Sequence, residues 1–108
     1  MLRYFFVNRQ NPFTDNLLQG YFPKIINLSQ QGNSVSIFLL LDGVTLAIKT
    51  AQRSCFDELL TKPITIYADA HSLAQRGIIT SELKPNIQTT ELNTIIHATL
   101  NGDEVIWV

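Results

Sequence analysis

The chain has 108 residues, room for one domain and not two. Apolar residues make up 45% of it and charged residues only 16%, so a core can form and the thinly charged surface favours oligomerisation. The net charge of -1, with its eight Lys and Arg scattered, excludes a long-range field that would draw nucleic acid or an anionic membrane.

Leu2–Val7 is apolar and aromatic and reads as a first strand, too short for a signal sequence. Asn8 to Pro12 is a loop, and Thr14 with Asp15 can open a helix. Leu17, Leu18, Tyr21, Phe22, Ile25 and Leu28 then recur at helical spacing. Pro23, with Gly20 nearby, predicts either a kinked helix or a turn followed by a helix from Phe22. Gln31-Gly32-Asn33 ends it.

The next stretch, Ser34-Val35-Ser36-Ile37-Phe38-Leu39-Leu40-Leu41, organises the chain. It does not alternate, which fits a strand buried on both faces of a parallel sheet. Asp42-Gly43 stops it at strand length, at the carboxyl end where open α/β sheets place their sites. Val44 to Lys49 can form a helical turn or two, Thr50 to Arg53 is loose, and Ser54 caps a helix from Cys55 to Leu60 with Phe56, Leu59 and Leu60 inward. Lys62-Pro63 closes that helix, and Ile64–Ala68 is a third strand. Asp69 to Ser72 is a turn, and Ser72 caps a short helix to Arg76 that Gly77 ends. Ile78 to Pro85 is loop, and Asn86–Thr89 is a short fourth strand. Thr90 caps a helix whose Leu92, Ile95, Ile96 and Leu100 share a face. Asn101-Gly102 ends that helix, and Glu104–Val108 is the last strand, with Trp107 packed on a helix or a partner. Strand and helix alternate throughout. This predicts one α/β domain over residues 1–108, a three-layer sandwich whose central, mostly parallel sheet has about five strands and helices on both faces.

Cys55 is the only thiol, so neither an intrachain disulfide nor a cysteine metal cluster can form, and a reducing, cytoplasmic setting follows. No apolar stretch approaches the roughly 20 residues of a membrane span. Cys55 is open to two readings, a thiol activated at a helix N-terminus or a small buried hydrophobe. Asp69 and His71 could form an acid–base pair after the third strand, or a plain polar turn. His97 stands about one position from the apolar face of the last helix and far from His71, without metal-ligand spacing. Asp42-Gly43 presents a carboxylate and backbone amides or only punctuates the chain, and Arg76-Gly77 is an anion contact or a helix end. No glycine-rich phosphate loop is present, so no cofactor is expected.

Leu39-Leu40-Leu41-Asp42-Gly43-Val44-Thr45-Leu46-Ala47 resembles a strand, Asp-Gly-Val, small-residue signature of the DsrE/DsrF/DsrH superfamily. Pro63–Ala68, followed by Leu73-Ala74-Gln75-Arg76-Gly77-Ile78, is similar to its second signature, a strand, a turn and a short helix ending in Arg-Gly plus an aliphatic residue. The resemblance covers roughly Gly32 to Val108, while the N-terminal third matches only in layout.

The resemblance implies a small α/β fold acting in sulfur relays, toward 2-thiolation of the tRNA wobble uridine or in sulfur oxidation. It also implies assembly into homo-oligomers, or into hetero-oligomers with DsrE- and DsrF-type subunits, on which a sulfur-carrier protein docks. In DsrE-type subunits the sulfur-accepting cysteine stands seven residues before the Arg of Arg-Gly. Here that position is Asp69, which cannot hold a persulfide. The expectation is therefore an accessory, non-catalytic subunit nearest the DsrH/TusB branch. Asp42, Gly43, Val44, Asp69, His71, Arg76 and Gly77 would form its interface or edge pocket. The alternatives are a sulfurtransferase using Cys55 and a small-ligand binding domain that kept the fold.

Overall fold

The apolar run at the centre of the sequence is the central strand of a five-stranded sheet. The computed structural model describes residues 2–9, 17–50 and 54–108, and the side chains among them from 2–9, 21–50 and 56–108. In chain order the elements are β1 (Arg3–Asn8), α1 (Leu17–Gln30), β2 (Ser34–Leu39), α2 (Ser54–Leu59), β3 (Thr65–Asp69), α3 (Ala70–Gln75), β4 (Ile87–Thr90), α4 (Asn93–Leu100) and β5 (Glu104–Trp107). Two 3-10 helices, Leu41–Ala47 and Thr80–Glu82, lie in the connections.

The strand order is β4-β3-β2-β1-β5, and every pairing is parallel. Register is tight at the centre: Phe6 lies opposite Ile37, and Ile37 opposite Ile66. Each is under 5% exposed, the burial that a non-alternating run requires. The connections from β1 to β4 step one way across the sheet, so right-handed crossing puts them on one face. There Phe22 and Ile25 of α1, Phe56 and Leu59 of α2 and Leu73 of α3 join Phe6, Ile37, Leu39 and Ile66 in the larger core. The connection from β4 returns past β1 to β5, so α4 crosses the opposite face. There Ala98 and Ile95 cover Phe5, Val7 and Phe38. The expected three-layer arrangement is present, with a sheet that is parallel throughout.

Several local expectations are corrected. Of the two readings at Pro23, the turn followed by a new helix from Phe22 is set aside, because one helix, α1, runs through the proline from Leu17 to Gln30. Pro23 lies on its exposed face, where the carbonyl it leaves unpaired can turn to water. The expected cap at Thr14 lies outside the described residues. Asp42-Gly43 is no open turn but the first turn of a 3-10 helix that starts at Leu41. The segment 78–85, expected as loop, contains the Thr80–Glu82 turn and is tied to the first 3-10 helix, Lys84 N–H donating to Ala47 O at 2.8 Å. Lys84 is buried beneath this segment, pairing with Asp57 at 2.7 Å over the Phe56 ring.

Thr90 does not cap the last helix. It ends β4, its hydroxyl bonds to that of Thr94 at 2.7 Å, and α4 begins three residues later. The face expected to bury Leu92, Ile95, Ile96 and Leu100 is divided: Ile95 packs inward, while the other three are at least half exposed. Trp107 is half exposed with the Arg9 guanidinium 5.9 Å above its ring.

Candidate functional site

The carboxyl ends of β2 and β3 are joined by one side-chain network. Strand β3 ends on Asp69, and α3 begins at the next residue. The expected turn there is absent, and Asp69 rather than Ser72 caps the helix. Its Oδ2 accepts from Ser72 N–H at 2.9 Å and from the Ser72 hydroxyl at 2.6 Å. The same hydroxyl accepts from Leu41 N–H at 2.9 Å. Its donor is thus spent on Asp69 and one acceptor site on the neighbouring loop. Both Asp69 and Ser72 are at most 2% exposed.

Leu41 has φ +53, the left-handed region that a leucine rarely enters. Strain of this kind persists only where the surroundings hold it, and it gathers at functional edges. Here Ser72 holds the peptide from one side. Gly43 closes from the other: a Cβ on it would come within 2.3 Å of Asn8 O, the oxygen that also accepts from Leu40 N–H at 2.8 Å. Only glycine lets the 3-10 helix press against the end of β1. Val44 is fully buried in the larger core, which corrects its expected place at an interface. It anchors the edge from beneath and presents no surface.

The two recognised segments meet directly. Arg76 Nη2 lies 2.7 Å from Asp42 Oδ1, and Arg76 Nη1–H donates to Ser72 O at 3.2 Å. Arg76 is aimed by the end of α3. Gly77 (φ +66) lets its own N–H reach Ala74 O and the Ile78 N–H reach Leu73 O, a Schellman closure. Arg-Gly-aliphatic is thus a helix stop that also places a cation over the end of β2.

On the other side of Asp69 the edge is open. A cleft of about 530 Å³ is lined by Asp69, Ala70, His71, Glu91, Leu92 and Asn93. His71 is exposed on the first turn of α3 and forms no hydrogen bond with Asp69, whose Oδ2 is given to Ser72. Asp69 and His71 therefore share a cleft without forming an acid–base dyad. Cys55 falls in the first turn of α2, and its side chain lies outside the described residues. Among the described residues no group of three His, Cys, Asp or Glu could hold a metal ion. No helix among them is long and apolar enough to cross a membrane.

Comparison with known proteins gives the family and the fold. The sequence profile of the DsrE/DsrF-like family matches residues 3–108. The chain belongs to the DsrE/DsrF-like family. Two solved structures share its fold over their whole length and its own. The ychN protein from E. coli superposes with a TM-score of 0.87 at 20% identity, both chains covered 100%. MTH1491 from Methanobacterium thermoautotrophicum, titled a protein of unknown function, superposes at 0.84 with 16% identity, again covering 100% of each. No curated protein matches the sequence. The DsrE/DsrF-like match takes in the N-terminal strand and α1, which resembled the family only in layout.

Ser72 and Leu41 are the residues that sequence reasoning missed at this edge. Asp69-x-x-Ser72 carries the spacing of an N-cap to its N3 amide, so that half was available. Nothing in the sequence marks Leu41 as left-handed.

Proposed function

We infer that this DsrE/DsrF-like chain is an accessory subunit of a sulfur-relay assembly, of the DsrH/TusB type, and is not itself a sulfur carrier. The supporting observation is Asp69. It stands where the resemblance puts the sulfur-accepting cysteine, it has no thiol, and its carboxylate is buried and committed to Ser72. On this reading Asp42, paired with Arg76, forms the docking edge, and His71 with the neighbouring cleft receives part of a partner. The partners are DsrE- and DsrF-type subunits, with a sulfur-carrier protein as a further contact, and the compartment is the cytoplasm.

A pull-down from native extract with mass identification tests this. Recovery of DsrE- and DsrF-type subunits is the expected result, and recovery of neither overturns it. Incubation with a persulfide donor followed by mass spectrometry tests the alternative thiol, since sulfur added to Cys55 would make the chain a carrier after all. The open cleft of about 530 Å³ favours a second reading, a small-ligand binding domain that kept the fold. A ligand that raises the melting temperature of the purified chain supports that reading.

A further inference from the structure

Of the aspartates whose side chains are described, all but one meet a cation. Asp42 pairs with Arg76, Asp57 with Lys84 and Asp103 with Arg3, each within 2.9 Å. Asp69 is the exception. It is 2% exposed, no described Lys or Arg pairs with it, and both of its hydrogen bonds fall on Oδ2. A carboxylate taken out of water without a counter-ion is costly, and two bonds from Ser72 offset only part of that cost. No described residue bonds Oδ1. Strand alternation places the side chain. Tyr67, two residues earlier, packs on the α4 side of the sheet, so Asp69 stands on that side too, where it lines the open cleft of about 530 Å³.

We propose that this cleft binds a small organic cation, a protonated primary amine on an apolar body, with the ammonium on Asp69 Oδ1. Charge sets the sign. The lining includes Asp69 and Glu91 and no described Lys or Arg. Helices α3 and α4 both begin here, and their N-termini alone would favour an anion. Those ends are already answered within the chain. Ser72 N–H donates to Asp69, while Thr94 N–H and Ile95 N–H donate to Glu91 O and Leu92 O. Two carboxylates against about half a positive charge from each helix end leave roughly one negative charge, which a monocation matches.

Size and lining narrow the class. A bare metal ion needs several ligands close around it, and among the described residues no group of three His, Cys, Asp or Glu could hold one. The volume is that of a small-molecule site, which a single side chain from a partner would leave mostly empty. Ala70 and Leu92, the latter 50% exposed, give an apolar body a wall to lie on. A ring nitrogen of His71 and the amide oxygen of Asn93 are further acceptors in the same lining, suited to the remaining ammonium protons. The proposal rests on the small-ligand reading of the cleft, whose ligand class it names, and makes no use of the accessory-subunit reading.

Titration of the purified full chain with benzylamine, followed by amide NMR at low ionic strength, tests it. The expected result is a saturable set of shifts centred on Ala70, His71, Leu92 and Asn93, absent with benzoate and weaker with benzyl alcohol. Asp69→Asn should weaken binding roughly tenfold or more, and so should Glu91→Lys, with far-UV circular dichroism unchanged. Glu58→Gln removes an acid from the groove between α1 and α2, across the sheet, and should leave the affinity unchanged. Should Asp69→Asn misfold, Glu91→Lys decides, because the Glu91 side chain is exposed and bonds no described residue. Affinity kept in either variant that folds overturns the proposal, as does equal weakening in Glu58→Gln. Binding of benzoate or benzyl alcohol without benzylamine overturns it too, yet leaves the small-ligand reading standing. No saturable shift with any of the three ends both.

Discussion

Ser72→Ala is the sharpest probe of the network that joins β2 to β3. The hydroxyl is 1% exposed and makes two bonds, one donated to Asp69 at 2.6 Å and one accepted from Leu41 N–H at 2.9 Å. The first is a hydrogen bond to a charged acceptor, worth about 1.5–3 kcal/mol. Losing the second strands a part-buried donor, at a further cost of about 1–3 kcal/mol. Two features reduce the total. Asp69 keeps its bond from Ser72 N–H, and Leu41 is exposed enough for water to approach. We therefore expect a net loss of about 3 kcal/mol. At roughly 4 °C per kcal/mol for a domain of this size, the melting temperature should fall by about 12 °C. Urea unfolding with an unchanged slope would measure the loss, and amide exchange at Leu41 would locate it. Asp69→Asn keeps an acceptor for the cap and should cost less. A Ser72→Ala loss below about 1 kcal/mol, with Leu41 exchange unaltered, would refute the account.

Three further substitutions separate folding from docking at the same edge. Gly43→Ala should destabilise by about 2–3 kcal/mol, read by urea unfolding, because its Cβ meets the Asn8 carbonyl at 2.3 Å and backbone has to move. Gly77→Ala meets no atom within 4 Å and pays only for its left-handed backbone, about 1 kcal/mol by the same measurement. Arg76→Ala breaks a pair whose acid partner is 53% exposed and should cost less than about 1 kcal/mol. Asp42→Lys should likewise leave the melting curve near that of the wild type. Loss of partner recovery in either variant would then report docking and not unfolding.

The sheet was legible because parallel strands announce themselves. Ile37, Phe38 and Leu39 follow one another without a polar break, and burial on both faces is the only cheap way to place them. The helix α4 was legible as a helix but not in its orientation. A 3.6-residue period says which side chains share a face, not which way the face turns. Leu92, Ile96 and Leu100 do share one, yet the register is set by Ala98 against Phe5, Val7 and Phe38, and Ile95 is carried inward. The edge shows the same division. Asp42-Gly43 and Arg76-Gly77 could be picked out as punctuation, but their ion pair is a contact between residues 34 positions apart, which no local pattern contains. Gly43 read as a turn residue because close approach to another strand leaves no local trace either.

The carboxylate at position 69 does something a thiol there could not. Sulfur is a weak acceptor and a weak donor, so a cysteine could not hold both the Ser72 amide and the Ser72 hydroxyl. Without Asp69, the Ser72 hydroxyl would lose the acceptor that orients it toward Leu41. With its orientation would go the bond that steadies a leucine at φ +53. On the accessory-subunit reading, the missing cysteine is therefore more than a deletion of chemistry. The same position ties down Leu41, the first residue of the 3-10 helix whose next residue, Asp42, pairs with Arg76. A reactive thiol needs access, whereas this network needs burial, and one side chain cannot satisfy both.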